Sequence, residues 1–108
     1  MTPSEINSNS ISRIKAGLSR KIGDATYLLV LVGKYSNKPD RRAAQIGDVN
    51  WQNWEINKAK ELGKRLVGVK IDRAYDSPTA LLGSGAYWAM SYSQPAILAA
   101  LARAAGKR

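Results

Sequence analysis

The side chains that could carry chemistry are limited first by two residue types that this sequence lacks. Its 108 residues include no cysteine and no histidine. Disulfides, thiolate metal sites and every serine–histidine or cysteine–histidine nucleophile are therefore excluded, together with the commonest metal ligand. If the chain is an enzyme, a carboxylate or a lysine must carry its chemistry, and no metal site is expected.

The segment 33–42 combines glycine, hydroxyl and amide groups with four cationic side chains, directly after an apolar run. It begins Gly33-Lys34-Tyr35-Ser36, and these four are candidate nucleotide-binding residues. In open α/β sheets ligands bind beyond the carboxyl ends of the strands, so this loop could receive a phosphate. It is not a P-loop, since the upstream glycine is missing and no helix follows directly. A solvated surface loop would have the same composition, and the residues alone leave both interpretations open.

A carboxylate on the next predicted helix, Glu55, is the candidate for catalysis. Within about a quarter turn of a helical wheel, one side of this helix carries Trp51, Glu55, Ala59 and Leu62, with Trp54 on the neighbouring flank. This pattern predicts that Glu55 points along the buried side, where an unpaired charge costs several kcal/mol and needs a partner or a purpose. The purpose could be to hold a hydroxyl or a developing cation. The alternative is an intrahelical ion pair with Lys58.

Four regular elements are predicted to position these groups. They are a helix over 11–22 with Ser10 as its N-cap, a strand over 26–32, a helix over 51–62 between Asn50 and Gly63, and a strand over 66–71. Strand, helix and strand at this spacing form a βαβ unit, and the unbroken apolar strands are typical of a parallel sheet covered on both faces. Residues 1–9 are polar and without a pattern, so we expect them to be disordered.

The last third of the chain is less regular, and the whole is expected to be a single domain, 1–108. Residues 72–85 are rich in turn-forming residues. Residues 86–92 could form a short strand or an irregular packed segment, and periodicity does not decide between them. Pro95 suits the first turn of a closing helix over 95–105.

The net charge of +9 is compatible with an acidic partner such as a nucleotide, a nucleic acid or a membrane surface. The basic residues are spread along the chain without a nucleic-acid-binding motif, so nucleic acid is not an expected partner, and a solvated basic face explains the charge equally simply. No apolar run approaches the ~20 residues that cross a bilayer, and the first residues do not resemble a signal peptide. We therefore expect no membrane association and a cytoplasmic location.

Three segments of the sequence resemble the core of bacterial Toll/interleukin-1 receptor-like (TIR-like) proteins, including the TIR-like components of the Thoeris anti-phage system. They are an apolar strand with glycine and a hydroxyl-bearing loop at 27–36, the element W-x-x-W-E-I opening a helix at 50–59, and G-K-x-[LIV]-[LIV]-G-V at 63–71. The resemblance implies an α/β fold of flavodoxin-like, TIR-like type, a small parallel sheet with flanking helices.

The resemblance also implies NAD chemistry, with NAD as a substrate and no permanently bound cofactor. TIR-family enzymes cleave the nicotinamide–ribose bond, and some cyclise the product. The family's catalytic glutamate lies in the W-x-x-[WY]-E motif, where this sequence has Glu55, and Trp51 and Trp54 of the same motif become candidate nucleotide-binding residues. A carboxylate there could stabilise an oxocarbenium-like ribose without metal, histidine or cysteine.

The chain departs from the family pattern at its beginning. Family members open with a strand resembling [KR]-x-[VI]-F-[IV]-S-[FY], and nothing before Ser10 matches it. We therefore expect a shortened member of the family, a fragment, or the product of a late start codon, with an unpaired position in its sheet. This favours an alternative function, a non-catalytic module that assembles with itself or with another TIR-like chain, and it predicts that the isolated chain is not a stable monomer.

Overall fold

The computed structural model describes residues 3–106, with side chains from residue 10 onward. Its first helix, α1, spans Pro3–Asp24. The prediction that the helix begins after an N-cap at Ser10 is wrong, because Ser10 lies inside α1. The expectation of disorder over residues 1–9 stays a prediction; residues 3–9 are the first residues of this helix, and residues 1 and 2 lie outside the described residues. Polar sequence without periodicity can continue a helix whose later turns pack on a core.

A three-stranded parallel sheet forms the centre of the molecule, in the order β1-β2-β3. Its strands are β1 (Tyr27–Val32), β2 (Arg65–Lys70) and β3 (Tyr87–Ala89). Tyr27 lies opposite Arg65, and Val67 lies opposite Tyr87. The open question over residues 86–92 is thus answered, since part of that segment is a strand. The predicted small parallel sheet with flanking helices is confirmed.

Within residues 3–106, two further helices lie between β1 and β2, a 3₁₀ turn lies between β2 and β3, and one helix follows β3. They are α2 (Ala43–Ile46), α3 (Trp51–Glu61), a 3₁₀ turn at Thr79–Leu81, and α4 (Gln94–Gly106). The predicted N-cap of α3 is confirmed, because Asn50 accepts a hydrogen bond from the Asn53 amide, and Gly63 beyond the helix adopts the left-handed φ of 71° that favours glycine. Within residues 3–106 no helix is both long and apolar enough to cross a bilayer.

The core consists of two layers, one on each face of the sheet. On the first face, α1 and α3 cover β1 and β2 through Ile22, Val30, Val32, Ile56, Ala59 and Leu66. On the second face, α4 covers β2 and β3 through Val67, Val69, Ala89, Ala100 and Ala104. Because α4 lies over β2 and β3, the β1 side chains of the second face, Leu29 and Leu31, are left 44% and 43% exposed.

Candidate functional site

The loop after β1 is shaped by Ser36, whose hydroxyl is engaged in hydrogen bonds within the loop. The Gly33 amide donates a hydrogen bond to Ser36 Oγ at 3.0 Å, and the same hydroxyl donates to the Gly33 carbonyl at 3.2 Å. Ser36 is buried. This candidate nucleotide-binding residue therefore closes the turn that follows the strand, and it shapes the site without presenting a free hydroxyl to a ligand.

Two asparagines at the start of α3, Asn50 and Asn53, fix the same loop. The sequence analysis identified Asn50 but not Asn53. The Asn50 side chain donates to the carbonyls of Ser36 (2.8 Å) and Lys38 (3.0 Å). Asn53 is only 1% exposed; its Oδ1 accepts from the Ala80 amide at 2.9 Å, and its Nδ2 donates to Asn50 Oδ1 at 3.0 Å. The two asparagines tie the loop after β1, α3 and the 3₁₀ turn together. A polar residue one helical turn beyond an N-cap was the sequence signal.

A groove of about 430 Å³ opens between this loop and the first turn of α3. It is lined by Tyr35, Ser36, Lys38, Pro39, Asp40, Asn50, Trp51 and Gln52, which we call the Tyr35 groove. Tyr35 is 66% exposed, and the Nζ atoms of Lys34 and Lys38 each lie 5.6 Å from the centre of its ring. An exposed ring beside two ammonium groups offers a stacking surface and phosphate partners together.

The two arginines at the far end of the loop differ in whether their side chains are engaged by Asp40. Arg41 is exposed, whereas the Arg42 guanidinium lies 3.4 Å from Asp40 Oδ1, which also accepts a hydrogen bond from the Arg42 amide at 2.8 Å. The amide hydrogen bond is the main cause that holds the pKa of Asp40 below its ordinary value. Arg41 and Lys34 are therefore the more available cations for an anionic ligand.

The two tryptophans of the W-x-x-W-E-I element contact each other but line different surfaces. Their rings meet edge to face, with centroids 5.8 Å apart and planes at 78°. Trp51 belongs to the Tyr35 groove, whereas Trp54 lines a separate groove of about 350 Å³ beside Asp48 and Asn57. Trp51 can contact a ligand of the Tyr35 groove, and Trp54 can only support it.

Glu55 is a half-buried carboxylate without a partner. Within residues 10–106 no group donates a hydrogen bond to it and no cation pairs with it. The predicted alternative, an ion pair with Lys58, is wrong, because Lys58 Nζ instead lies 3.5 Å from Glu61 Oε2. Burial raises the pKa of Glu55 above its ordinary value. Such a group is costly to keep ionised unless a ligand compensates it.

The buried side of α3 differs in one respect from the side that the helical wheel predicted. The fully buried line of α3 is Asn53, Ile56 and Ala59, while Leu62, expected on the buried side, is exposed. Glu55 lies on the flank of that line. Gln52, which shares a side of the helix with Glu55, donates through Nε2 to the Leu31 carbonyl at 2.8 Å. Glu55 thus lies on the side of α3 that faces β1.

The structure brings together three of the predicted site residues and separates the others. Tyr35, Ser36 and Trp51 line the Tyr35 groove, with Lys34 next to them and Gly33 at the base of the turn. Trp54 lines the second groove, and Glu55 lines neither. Over residues 10–106 there is no cluster of acidic side chains suited to a metal ion.

Comparison with known protein families identifies a TIR-like domain. The TIR-like domain of the Thoeris protein ThsB matches residues 1–76. The matched span includes the Tyr35 groove, α3 with Glu55, and both longer strands. Comparisons with curated proteins and with solved structures find no match.

Proposed function

The chain belongs to the Thoeris ThsB TIR-like domain family, which acts in anti-phage defence, and from that premise we propose that it binds and cleaves NAD-type nucleotides. The observation that carries the proposal is Glu55. It is a half-buried carboxylate with a raised pKa, and it has no hydrogen-bond or ion-pair partner among residues 10–106. It also occupies the position in W-x-x-W-E-I that the resemblance assigns to the catalytic glutamate.

A carboxylate in this state suits cleavage of a nicotinamide–ribose bond. The C–N bond breaks with its electron pair leaving on nicotinamide, and the ribose develops oxocarbenium-like positive charge. Water then adds its hydroxyl to the ribose carbon and releases a proton. A poorly solvated carboxylate stabilises that positive charge more strongly than one in bulk water, because the local dielectric is lower. The cost of burying Glu55 is thereby offset only when the cationic substrate is bound.

The Tyr35 groove supplies the groups that a dinucleotide needs for binding. Tyr35 and Trp51 offer aromatic faces to a ring, while Lys34 and Lys38 offer cations to the diphosphate. The groove lies at the carboxyl end of β1, the edge where open α/β sheets bind ligands. Trp54 acts as a positioning residue through its edge contact with Trp51. NAD is the substrate in this proposal and not a resident cofactor.

Binding to the groove can be tested with a pair of tyrosines of matched exposure. Tyr35 is 66% exposed and Tyr92, outside the groove, is 62% exposed. Stacking of one base on an aromatic ring is worth about 1–3 kcal/mol, so Tyr35→Ala should weaken the affinity for NAD on the order of 10-fold in isothermal titration calorimetry. Tyr92→Ala should bind NAD like the unmodified chain. Equal affinities for both variants would remove the groove from the proposal.

A second function, assembly without catalysis, is favoured by a different observation. The side chains of Leu29 and Leu31 are exposed on a strand at the edge of the sheet. An uncovered apolar edge favours pairing with another chain. Leu29 and Leu31 do not line the Tyr35 groove.

A further inference from the structure

Among residues 3–106, no strand lies next to one edge of β1. The Arg65 amide donates to the Thr26 carbonyl and the Ile71 amide donates to the Val32 carbonyl, so the backbone groups of alternate residues from Thr26 to Val32 point toward β2. The intervening residues, Tyr27, Leu29 and Leu31, therefore point their amides and carbonyls toward the free edge. These unpaired backbone groups can be satisfied regularly only by another β-strand.

This edge lacks the usual protection against pairing. Edge strands are commonly guarded by lysines, prolines or bulges. β1 has the sequence Tyr-Leu-Leu-Val-Leu-Val, which carries no charge and no proline, and its register with β2 is continuous. Among the side chains that the structure describes, Gln52 alone bonds to the edge, through the Leu31 carbonyl. A carbonyl oxygen has a second lone pair, so this contact does not prevent strand pairing.

On the side of the sheet that α4 covers, the surface next to the edge is apolar and uncharged, which decides the kind of partner. Leu29 and Leu31 lie on the face that α4 covers only over β2 and β3. α4 carries a single charged residue, Arg103, and its guanidinium is directed to the Trp88 carbonyl at 2.7 Å. On a chain of net charge +9, this surface is where two copies can approach with little repulsion.

We propose that two copies of this chain join their β1 strands antiparallel about a two-fold axis at Leu29. With the axis at Leu29, every residue that faces the edge is paired. Leu29 lies opposite Leu29 of the second copy, and Leu31 lies opposite Tyr27 of the second copy. The same strand serves both sides, as an isologous interface requires. The two sheets become one, and the four leucines at positions 29 and 31 cover one another. This interface does not depend on nucleotide chemistry.

Single cysteines test the register, because the natural chain has none. In an antiparallel hydrogen-bonded pair the two Cα atoms at position 29 lie about 5.5 Å apart, within the span of a disulfide. The two Cα atoms at position 31 lie four residues apart along the strands, about 13 Å, which is too far. After oxidation, Leu29→Cys should run mainly as a dimer on a non-reducing gel. Leu31→Cys, and Leu82→Cys on an exposed segment elsewhere, should stay monomeric.

Two measurements on the unmodified chain cover the case in which a variant does not fold. Sedimentation equilibrium should show the mass doubling, without larger species, as the concentration rises. Hydrogen exchange at the Leu29 and Leu31 amides should slow over the same range, because those amides become paired. A monomer at all concentrations, unchanged exchange at these amides, or cross-linking of Leu31→Cys or Leu82→Cys as strong as that of Leu29→Cys would overturn the proposal.

Discussion

Replacing Gly68 with alanine should destabilise the fold, because the ring of Trp88 occupies the space that the added methyl group needs. A Cβ at Gly68 would lie 2.7 Å from Trp88 Cζ3, 2.8 Å from Trp88 Cε3 and 3.0 Å from Leu81 Cδ2. Gly68 is in the central strand and is held between Val30 on β1 and Trp88 on β3. Trp88 is half-buried and Leu81 is buried, so both side chains must shift within a packed region to admit the methyl group.

The expected magnitude follows from two opposing effects. Overpacking a filled core costs about 1–3 kcal/mol. Alanine gains about 0.5–1 kcal/mol over glycine in an open strand position by losing less backbone entropy. Overpacking is the larger effect, so the free energy of unfolding should fall. For a domain of this size each kcal/mol lowers the melting temperature by about 4–8 °C.

Thermal melts of four variants, Gly68→Ala, Gly17→Ala, Trp88→Leu and the double variant of Gly68→Ala with Trp88→Leu, separate the contact from general effects of the substitution. Gly17→Ala in α1 meets no atom within 4 Å and should stabilise, by about 0.5–1 kcal/mol. In a Trp88→Leu background, Gly68→Ala should cost less than in the unmodified chain, since the clashing ring is gone. An unchanged melting temperature of Gly68→Ala, or an equal cost in both backgrounds, would show that the Trp88 ring does not limit the space at Gly68.

Three further predictions concern the site. Asn53→Ala should lower the free energy of unfolding by about 1–3 kcal/mol, because buried partners lose their hydrogen bonds; an unchanged thermal melt would show that the asparagine pair is dispensable. Replacing Lys34, Arg41 and Arg42 together with alanine should leave the melting temperature nearly unchanged, because substitution of an exposed residue usually changes the free energy of unfolding by under ~0.5 kcal/mol. The affinity for NAD should fall. A large loss of stability would show that these residues are structural. Burial raises the pKa of the Glu55 carboxyl, so its folded pKa lies above its unfolded one and stability is lost as the pH rises through the folded pKa. Glu55→Gln should therefore be the more stable chain at neutral pH and lose that advantage below about pH 4, as melts across this range would reveal; a variant less stable at neutral pH would contradict the assignment.

The elements that were predicted well are those whose signal is local. The apolar run ending at Val32 and the capped helix from Asn50 to Gly63 both appear within one or two residues of their predicted bounds. The strand is an unbroken apolar run followed by a glycine, and the helix has helical periodicity between an asparagine N-cap and a glycine. The start of α1 was missed, because its first turns carry neither.

The parts that could not be predicted depend on contacts between distant residues. The burial of Asn53 follows from its hydrogen bond to the Ala80 amide, 27 positions away, which no local pattern indicates. The pairing of Lys58 with Glu61 instead of Glu55 depends on which flank of α3 faces β1, and a wheel without the sheet does not fix that direction. The separation of Trp51 and Trp54 into two grooves has the same origin.

The central claim is that Glu55 carries NAD cleavage, and nicotinamide release from NAD tests it most directly. The unmodified chain should release nicotinamide, and Glu55→Gln should be slower by about 10²-fold or more, because the amide keeps the shape but cannot offset positive charge on the ribose. Glu61→Gln is the matched control, since Glu61 is on the same helix, is paired with Lys58 and has a side chain 68% exposed; it should release nicotinamide at the unmodified rate. Turnover that survives in Glu55→Gln, or its absence from the unmodified chain even at high concentration, would contradict the claim.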